Sequence, residues 1–323
     1  MNLRAGRDCP LDYRLPPQAF SSPASLATDV LYVVGGLYGN RQALAALQKR
    51  LQAEPAARVV FNGDAHWFDR DPEIFVAIEQ GLQAHIVLRG NVETELGRDS
   101  ASGAGCGCAY PASVDDAVVH RSNAIQAELN NTVQGISGMA ARLAARPATA
   151  LVTVGGRRVA ISHGDEQSLA GWSCSREALA SEARREQLDQ WFETHNIEVL
   201  ATSHTCSAVA LNLQHGALIN NGASGLPNFN NGRYGVLSRI ATHPHPAALY
   251  RAERDGLYIE ALALNYEHGA FLADFDRQWP HASPGALSYR AQVLGATEDT
   301  PQSALLAGFS LCQTLCALEA LES

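Results

Sequence analysis

Lysine is almost absent from this chain: Lys49 is the only one, so the 24 basic side chains are nearly all arginine, which we read as coding bias in an alanine-rich sequence. Charge of any kind is scarce at 18%, and acids exceed bases, 33 against 24, for a net charge of −9. That sign opposes phosphate backbones and anionic lipid, so neither general nucleic-acid binding nor membrane-surface binding is expected. Long apolar runs are also missing: stretches such as Val30–Val34 fall far below the roughly 20 residues of a membrane helix. The first 25 residues carry Arg4, Arg7, Asp8 and Asp12 with no apolar segment of the signal-peptide kind. Seven cysteines at irregular positions (9, 106, 108, 174, 206, 312, 316) read as reduced thiols rather than a disulfide framework. The expected location is the cytoplasm. What remains, 46% hydrophobic residues with 27 glycines and 14 prolines, is a globular composition.

Short β-branched runs end at Gly or Asn and are followed by helical patterns: Val30–Val34 then Arg41–Ala53, Val59–Phe61 then Pro72–Gln80, and Ile86–Leu88 then a looser stretch. Strand, loop and helix in that order predict parallel βαβ units with functional groups on the loops after the strands. Helical spacing recurs from Val118 to Ala145, and Thr149–Val154 and Arg157–Ser162 flank a Gly-Gly turn as a hairpin. Arg176–Phe192 reads as a helix. Ile197–Thr202, Val209–Leu213, Ala217–Ile219, Val236–Ile240 and Tyr258–Leu264 read as strands, so a parallel half should continue into an antiparallel half. Residues 1–27 form an irregular arm, 28–265 the main domain and 266–323 a C-terminal extension. Within that extension 275–301 reads as a linker and Gln302–Leu321 as a terminal helix, apolar nearly all round, that must dock on something. A homo-oligomer through this helix is one option.

The loop tips hold the chemistry: Gly35-Gly36-Leu37-Tyr38-Gly39-Asn40, Gly63-Asp64, Gly90-Asn91-Val92-Glu93, Ser162-His163-Gly164-Asp165 and Ser203-His204-Thr205-Cys206. One carboxylate, one carboxamide and two imidazoles suit a divalent ion such as Zn, Mn or Fe. Singly, each has a plainer reading as a turn or a packed residue.

Taken in order, Gly-Asn, Gly-Asp, Gly-Asn-x-Glu, His-Gly-Asp and His-Thr-x resemble the calcineurin-like metallophosphoesterases. Ile219-Asn-Asn-Gly-Ala-Ser-Gly-Leu-Pro-Asn228 is similar to a signature of their small bacterial, phosphodiesterase-like branch. The resemblance covers roughly residues 28 to 265 and implies an α/β fold, a four-layered α/β/β/α sandwich. It also implies that Asp64, Asn91, His163 and His204 are the ligands of one metal. The private ligands of the other are replaced: Gly36 and Tyr38 stand where the family has Asp and His, and Cys206 where it has the last His. Val92 takes the place of the protonating histidine, and Trp67 the place of a second aspartate.

A metallophosphoesterase-like hydrolase of a small phosphomonoester or phosphodiester follows, with an atypical metal site of one divalent ion rather than two. On this reading Asp64, His204 and Arg89 are catalytic, Asn40, Arg89 and Ser224 approach substrate phosphate, and Glu93 orients a neighbouring loop or ligand. His66 and Cys206 are further metal candidates, as are Asp69, Cys106 and Cys108, should a second position be rebuilt. The alternative is a catalytically silent module that binds a nucleotide, a phosphate ligand or a protein partner. His243 and His245 read as a surface turn, and Cys312 and Cys316 as core thiols.

Overall fold

The computed structural model describes residues 3–98 and 103–312. The β-branched runs form β1 (Leu26–Thr28), β2 (Val30–Val34), β3 (Arg58–Asn62) and β4 (Ile86–Leu88), with α1 (Arg41–Ala53) and α2 (Pro72–Leu82) between the last three. Next come α3 (Asn91–Leu96), α4 (Asp116–Gln134), α5 (Met139–Ala144), the hairpin β5 (Thr149–Val154) and β6 (Arg157–Ser162), then α6 (Arg176–Leu179) and α7 (Glu182–His195). Strands β7 (Val199–Thr202), β8 (Ala208–Asn212), β9 (Ala217–Asn221), β10 (Tyr234–Ala241), β11 (Ala248–Arg254) and β12 (Leu257–Asn265) follow. Helices α8 (His268–Gln278) and α9 (Pro284–Val293) and the short strands β13 (Leu305–Ala307) and β14 (Ser310–Leu311) complete the described chain.

These strands make two seven-stranded sheets, β1-β5-β6-β7-β9-β8-β13 and β14-β11-β12-β10-β2-β3-β4. Strand β2 shows why the architecture has layers. All five of its residues are buried. Leu31 and Val33 face the other sheet in the central core, while Val30, Tyr32 and Val34 face α1 and α2. A strand covered on both faces reads as a continuous apolar run, and each such side chain contributes about 1.5–3 kcal/mol by leaving water. On the far face of the sheet that holds β7, β8 and β9, Leu179, Leu188 and Phe192 of α6 and α7 pack on Leu200, Val209 and Leu218. Helix, sheet, sheet and helix stack as expected. The parallel ladders β2–β3–β4 and β6–β7–β9 point their C-terminal ends at one edge of the sandwich, and the antiparallel β10–β12–β11 extends the other half.

Three segments depart from expectation. Residues 275–301 are not a linker: Ser283 caps α9 with Pro284 at its first position, and buried Trp279 donates to the Phe68 carbonyl at 2.8 Å. The expected terminal helix is not helical over its described part. Residues 302–304 form one 3-10 turn, Leu305 pairs with Ala210 of β8, and Gly308 at φ +69° turns the chain into β14. Sheet pairing at two open edges outweighs the helical leucine pattern, and residues 313–321, with Cys316, lie outside the described residues. The helix expected over Arg176–Phe192 is two helices, because Ser181 caps a new start by accepting from the Arg184 amide. The described part of the N-terminal arm is irregular apart from one turn at Leu11–Tyr13 and its end, where Leu26 and Ala27 open β1 on the edge beside β5, and it is docked: Leu15 donates to the Gln167 carbonyl and Leu169 to that of Tyr13. No described helix is long and apolar enough to cross a membrane.

Candidate metal centre

The loops after β3, β4, β6 and β7 bring Asp64, Asn91, His163 and His204 together. Asp64, His163 and His204 each place a ligand atom within 4.8 Å of the others, all three buried. His163 Nε2 is the hub: Asp64 Oδ2, Asn91 Oδ1 and His204 Nδ1 each lie 3.2 Å from it. Close approach of the loops requires glycine. A Cβ on Gly63 would stand 2.5 Å from the Gly90 nitrogen, and one on Gly90 would stand 2.2 Å from Asp64 Oδ1. Glu93 clamps this junction by accepting from the amides of Asp64, Ala65 and Gly90, each at 2.8 Å. It orients the loop, as its position in the sequence suggested.

Proton bookkeeping shows what the cluster fits. The rear nitrogen of each imidazole faces a backbone carbonyl: His163 Nδ1 is 2.7 Å from Asn62 O, and His204 Nε2 is 3.0 Å from Cys108 O. A carbonyl only accepts, so both rear nitrogens carry the hydrogen and both front nitrogens present lone pairs. Asn91 is fixed the same way, since its Nδ2 donates to the Cys106 carbonyl at 2.8 Å and leaves Oδ1 facing inward. Four acceptors therefore converge with no donor among them, an arrangement that asks for a cation. Bonds of about 2.1 Å around one ion place neighbouring ligand atoms about 3.0–3.4 Å apart, which matches the three distances to His163 Nε2. The donor set therefore fits a divalent ion.

A proton on His163 is the other way to relieve the crowding. Burial opposes it, but the Asp64 carboxylate raises His163 net above the ordinary histidine value. Burial, and then the charge on His163, push His204 down to about 4. Burial alone would raise Asp64, yet His163 and the Val92 amide hold it below the usual carboxylate range.

The other expected residues lie elsewhere or do other work. Arg89 donates to the Arg146 carbonyl at 2.8 Å and to that of Ala144 at the end of α5, so its guanidinium does not line the cavity at the cluster. Asn40 caps α1 by accepting from Ala43 and donates to Gly225 O at 2.8 Å. Ser224 is fully buried and donates to Val236 O at 3.0 Å. Both hold loops against each other with no group free to meet a ligand. His66 is fully buried, stacked on Phe75, with Nδ1 2.6 Å from Asp69 and Nε2 2.8 Å from Glu79. With a carboxylate at each nitrogen it is a double donor and has no lone pair for a metal. Cys206 does reach the cavity, where Tyr38 Oη meets its Sγ at 2.7 Å. Cys106 and Cys108 serve through their carbonyls, which orient Asn91 and His204; burial pushes the Cys108 thiol up.

His66 carries a testable pH dependence. Against the burial that lowers it, Asp69 and then Glu79 raise its pKa to about 9. A raised histidine stabilises fully below its unfolded value near 6.5, and the stabilisation is lost as pH climbs through 9. Wild type should thus lose on the order of 2–3 kcal/mol between pH 6.5 and 9.5. Denaturant melts of His66→Phe should show a much flatter profile over that window; an equal slope in both proteins contradicts the assignment.

The cavity beside the cluster has a volume of about 190 Å³, and its walls include Tyr38, Trp67, Tyr110, Trp172 and Tyr289. No lysine or arginine is among its described lining residues. Trp172 packs edge-on against His204 and donates to Cys108 O at 2.9 Å. Tyr38 and Trp67 had stood out in the sequence at replaced positions; Tyr110, Trp172 and Tyr289 escaped it, since only their spatial convergence sets them apart from core residues. Tyr38 fills the space that a side chain at Gly36 would need: a Cβ there would lie 3.0 Å from the phenol carbon Cζ. Among the described residues, eight non-glycines have left-handed φ, and three of them, Tyr38, Asp64 and Cys206, line this one cavity. Such backbone strain clusters at ligand sites.

No protein-family model and no curated protein matches the chain. Solved structures do. A metallophosphoesterase from Sphaerobacter thermophilus aligns over 83% of this chain and 100% of its own, with a TM-score of 0.54 at 13% identity. A hypothetical protein from Pyrococcus horikoshii aligns over 84% of this chain and 99% of its own, with a TM-score of 0.56, also at 13% identity. The chain has the calcineurin-like metallophosphoesterase fold.

Proposed function

We propose that this chain is a metallophosphoesterase-like hydrolase that cuts a small phosphate ester with one divalent ion on Asp64, Asn91, His163 and His204. The observation that carries it is the inward-facing set of four acceptors, two of them imidazoles locked from behind by carbonyls. Zn, Mn and Fe all suit this mixed N/O set. Bound there, the ion supplies Lewis acidity toward a phosphoryl oxygen. Asp64 offsets part of its charge, and the ring of aromatics excludes water. Burial raises the Tyr38 phenol well above its ordinary value, so it stays protonated as an O–H donor at the cavity wall. Val92 supplies no proton to a leaving group, which favours esters of acidic alcohols or phenols. The metallophosphoesterase-like domain is residues 28–265, with 266–323 as an extension whose Tyr289 joins the cavity wall, and the free cysteines suit the cytoplasm.

The second reading, a binding module without turnover, draws on Val92 and on Tyr38 in the place of a second ion. A hydrolysis panel of aryl and alkyl phosphomonoesters and phosphodiesters separates the two. Activity that follows the dose of added metal supports the hydrolase; ligand binding with no turnover at any metal supports the module.

A further inference from the structure

We propose that a cleft at the far end of α1, between that helix and the His243–Pro246 turn, binds a small dianionic phosphate compound. The cleft has a volume of about 600 Å³, within the usual range for small-molecule sites of about 300–1,000 Å³. Ala46, Lys49, Arg50 and Ala53 line one side, at the i, i+3, i+4, i+7 spacing of a single helix face. The two alanines leave room, and the two cations line the same cleft.

The charge balance is unusual for a chain of net charge −9. Among the described lining residues Glu54 is the one carboxylate, and it is already bound: Arg239 Nη2 donates to its Oε1 at 2.6 Å, and the Tyr32 hydroxyl donates to its Oε2. Arg239 is itself fully buried and also pairs with Glu260, which takes Arg251 as well. Arg239 and Arg251 are thus balanced by Glu54 and Glu260. Lys49, the sole lysine, and Arg50 remain. Neither forms an ion pair among the described residues; Arg50 gives one bond, to the Ala263 carbonyl at 2.8 Å. The two charges left over match a dianion.

The turn adds N–H donors. His245 Nδ1 accepts from the Ala247 amide at 3.1 Å, so its Nε2 carries the hydrogen. His243 Nε2 accepts from Arg239 at 3.0 Å, so its Nδ1 carries the hydrogen. Burial and the nearby Arg50 and Arg239 lower His245, which keeps it a neutral donor and reports the positive potential here. A guanidinium fork, an ammonium and two imidazole N–H groups around one hollow are the recognition chemistry of a phosphate group. Lys49 and Arg50 follow the N-cap Asn40 by nine and ten residues, roughly 14–15 Å along the helix axis from the loop that holds Tyr38, so the ligand here is separate from the ester at the metal centre.

The probe is inorganic phosphate at pH 8, titrated by calorimetry in low salt. Metal-loaded wild type should bind it in the millimolar range or tighter, and His163→Ala, which removes the metal centre, should keep that binding. In the His163→Ala background, Lys49→Glu/Arg50→Glu should weaken it at least tenfold. Ala53→Trp, which fills the hollow from an exposed position without changing charge, should do the same. Loss of all binding in His163→Ala would place the anion at the metal centre only, and unchanged binding in both cleft variants would show that this cleft is not its site; either result overturns the proposal. A defect in ester hydrolysis alone leaves these titrations intact, so the two readings fail separately.

Discussion

His163→Ala should abolish stoichiometric metal binding and lower phosphate-ester turnover by at least about 10³-fold, the loss expected when the group that stabilises charge in the transition state goes. The size of the effect follows from geometry. His163 Nε2 stands 3.2 Å from each of the other three acceptors, so its removal opens the middle of the cluster rather than its rim. The substitution also breaks the contact with Asn62 O, and the ring is 1% exposed, so some stability will be lost with it. Circular dichroism and thermal melts separate unfolding from loss of the ion. The variant should melt cooperatively and match chelator-treated wild type in turnover. If it retains the ion or more than a tenth of the activity, the ligand assignment is wrong.

Gly36→Asp alone should destabilise the protein by about 1–3 kcal/mol, from a left-handed backbone forced to carry a side chain and from overpacking. Its Cβ would meet Tyr38 Cζ at 3.0 Å and Ala223 Cα at 3.3 Å, and its φ is +64°. Adding Tyr38→His removes the phenol from that space. The double variant should recover part of the loss, bind a second equivalent of metal and turn over faster by about 10²-fold, because a second ion adds Lewis acidity and a clamp on the attacking and leaving oxygens. Melts, metal analysis and initial rates read all three outcomes. A double variant with one ion and wild-type rates would show that Tyr38 is not what keeps a second ion out.

The architecture was largely legible because β-branched runs ending at Gly or Asn are a local signal, and β3, β4, β6 and β7 end at the four loops of the cluster. Strand β11 was not, since Arg251, Glu253 and Arg254 interrupt its apolar character and its pairing with β12 is not visible locally. The C-terminal leucines misled for the converse reason: Leu305–Ala307 joins an open edge at β8, which no helical periodicity can report. At the site, loop order and residue type pointed to Asp64, Asn91, His163 and His204. They did not show that Arg89, Asn40 and Ser224 are bound to neighbouring backbone groups, nor that the Cys106–Cys108 segment works through its carbonyls. Those facts depend on side-chain direction, and on an N-terminal arm whose Tyr13 donates to Glu95 at 2.6 Å and whose Gly6 donates to Ala104 O at 2.7 Å beside that segment.

Metal content tests the central claim most directly. Purified protein equilibrated with Zn, Mn or Fe(II), then freed of excess ion, should retain close to one equivalent per chain by elemental analysis. Retention of none of the three, or equal retention by a variant with Asp64, His163 and His204 all changed to alanine, would contradict it.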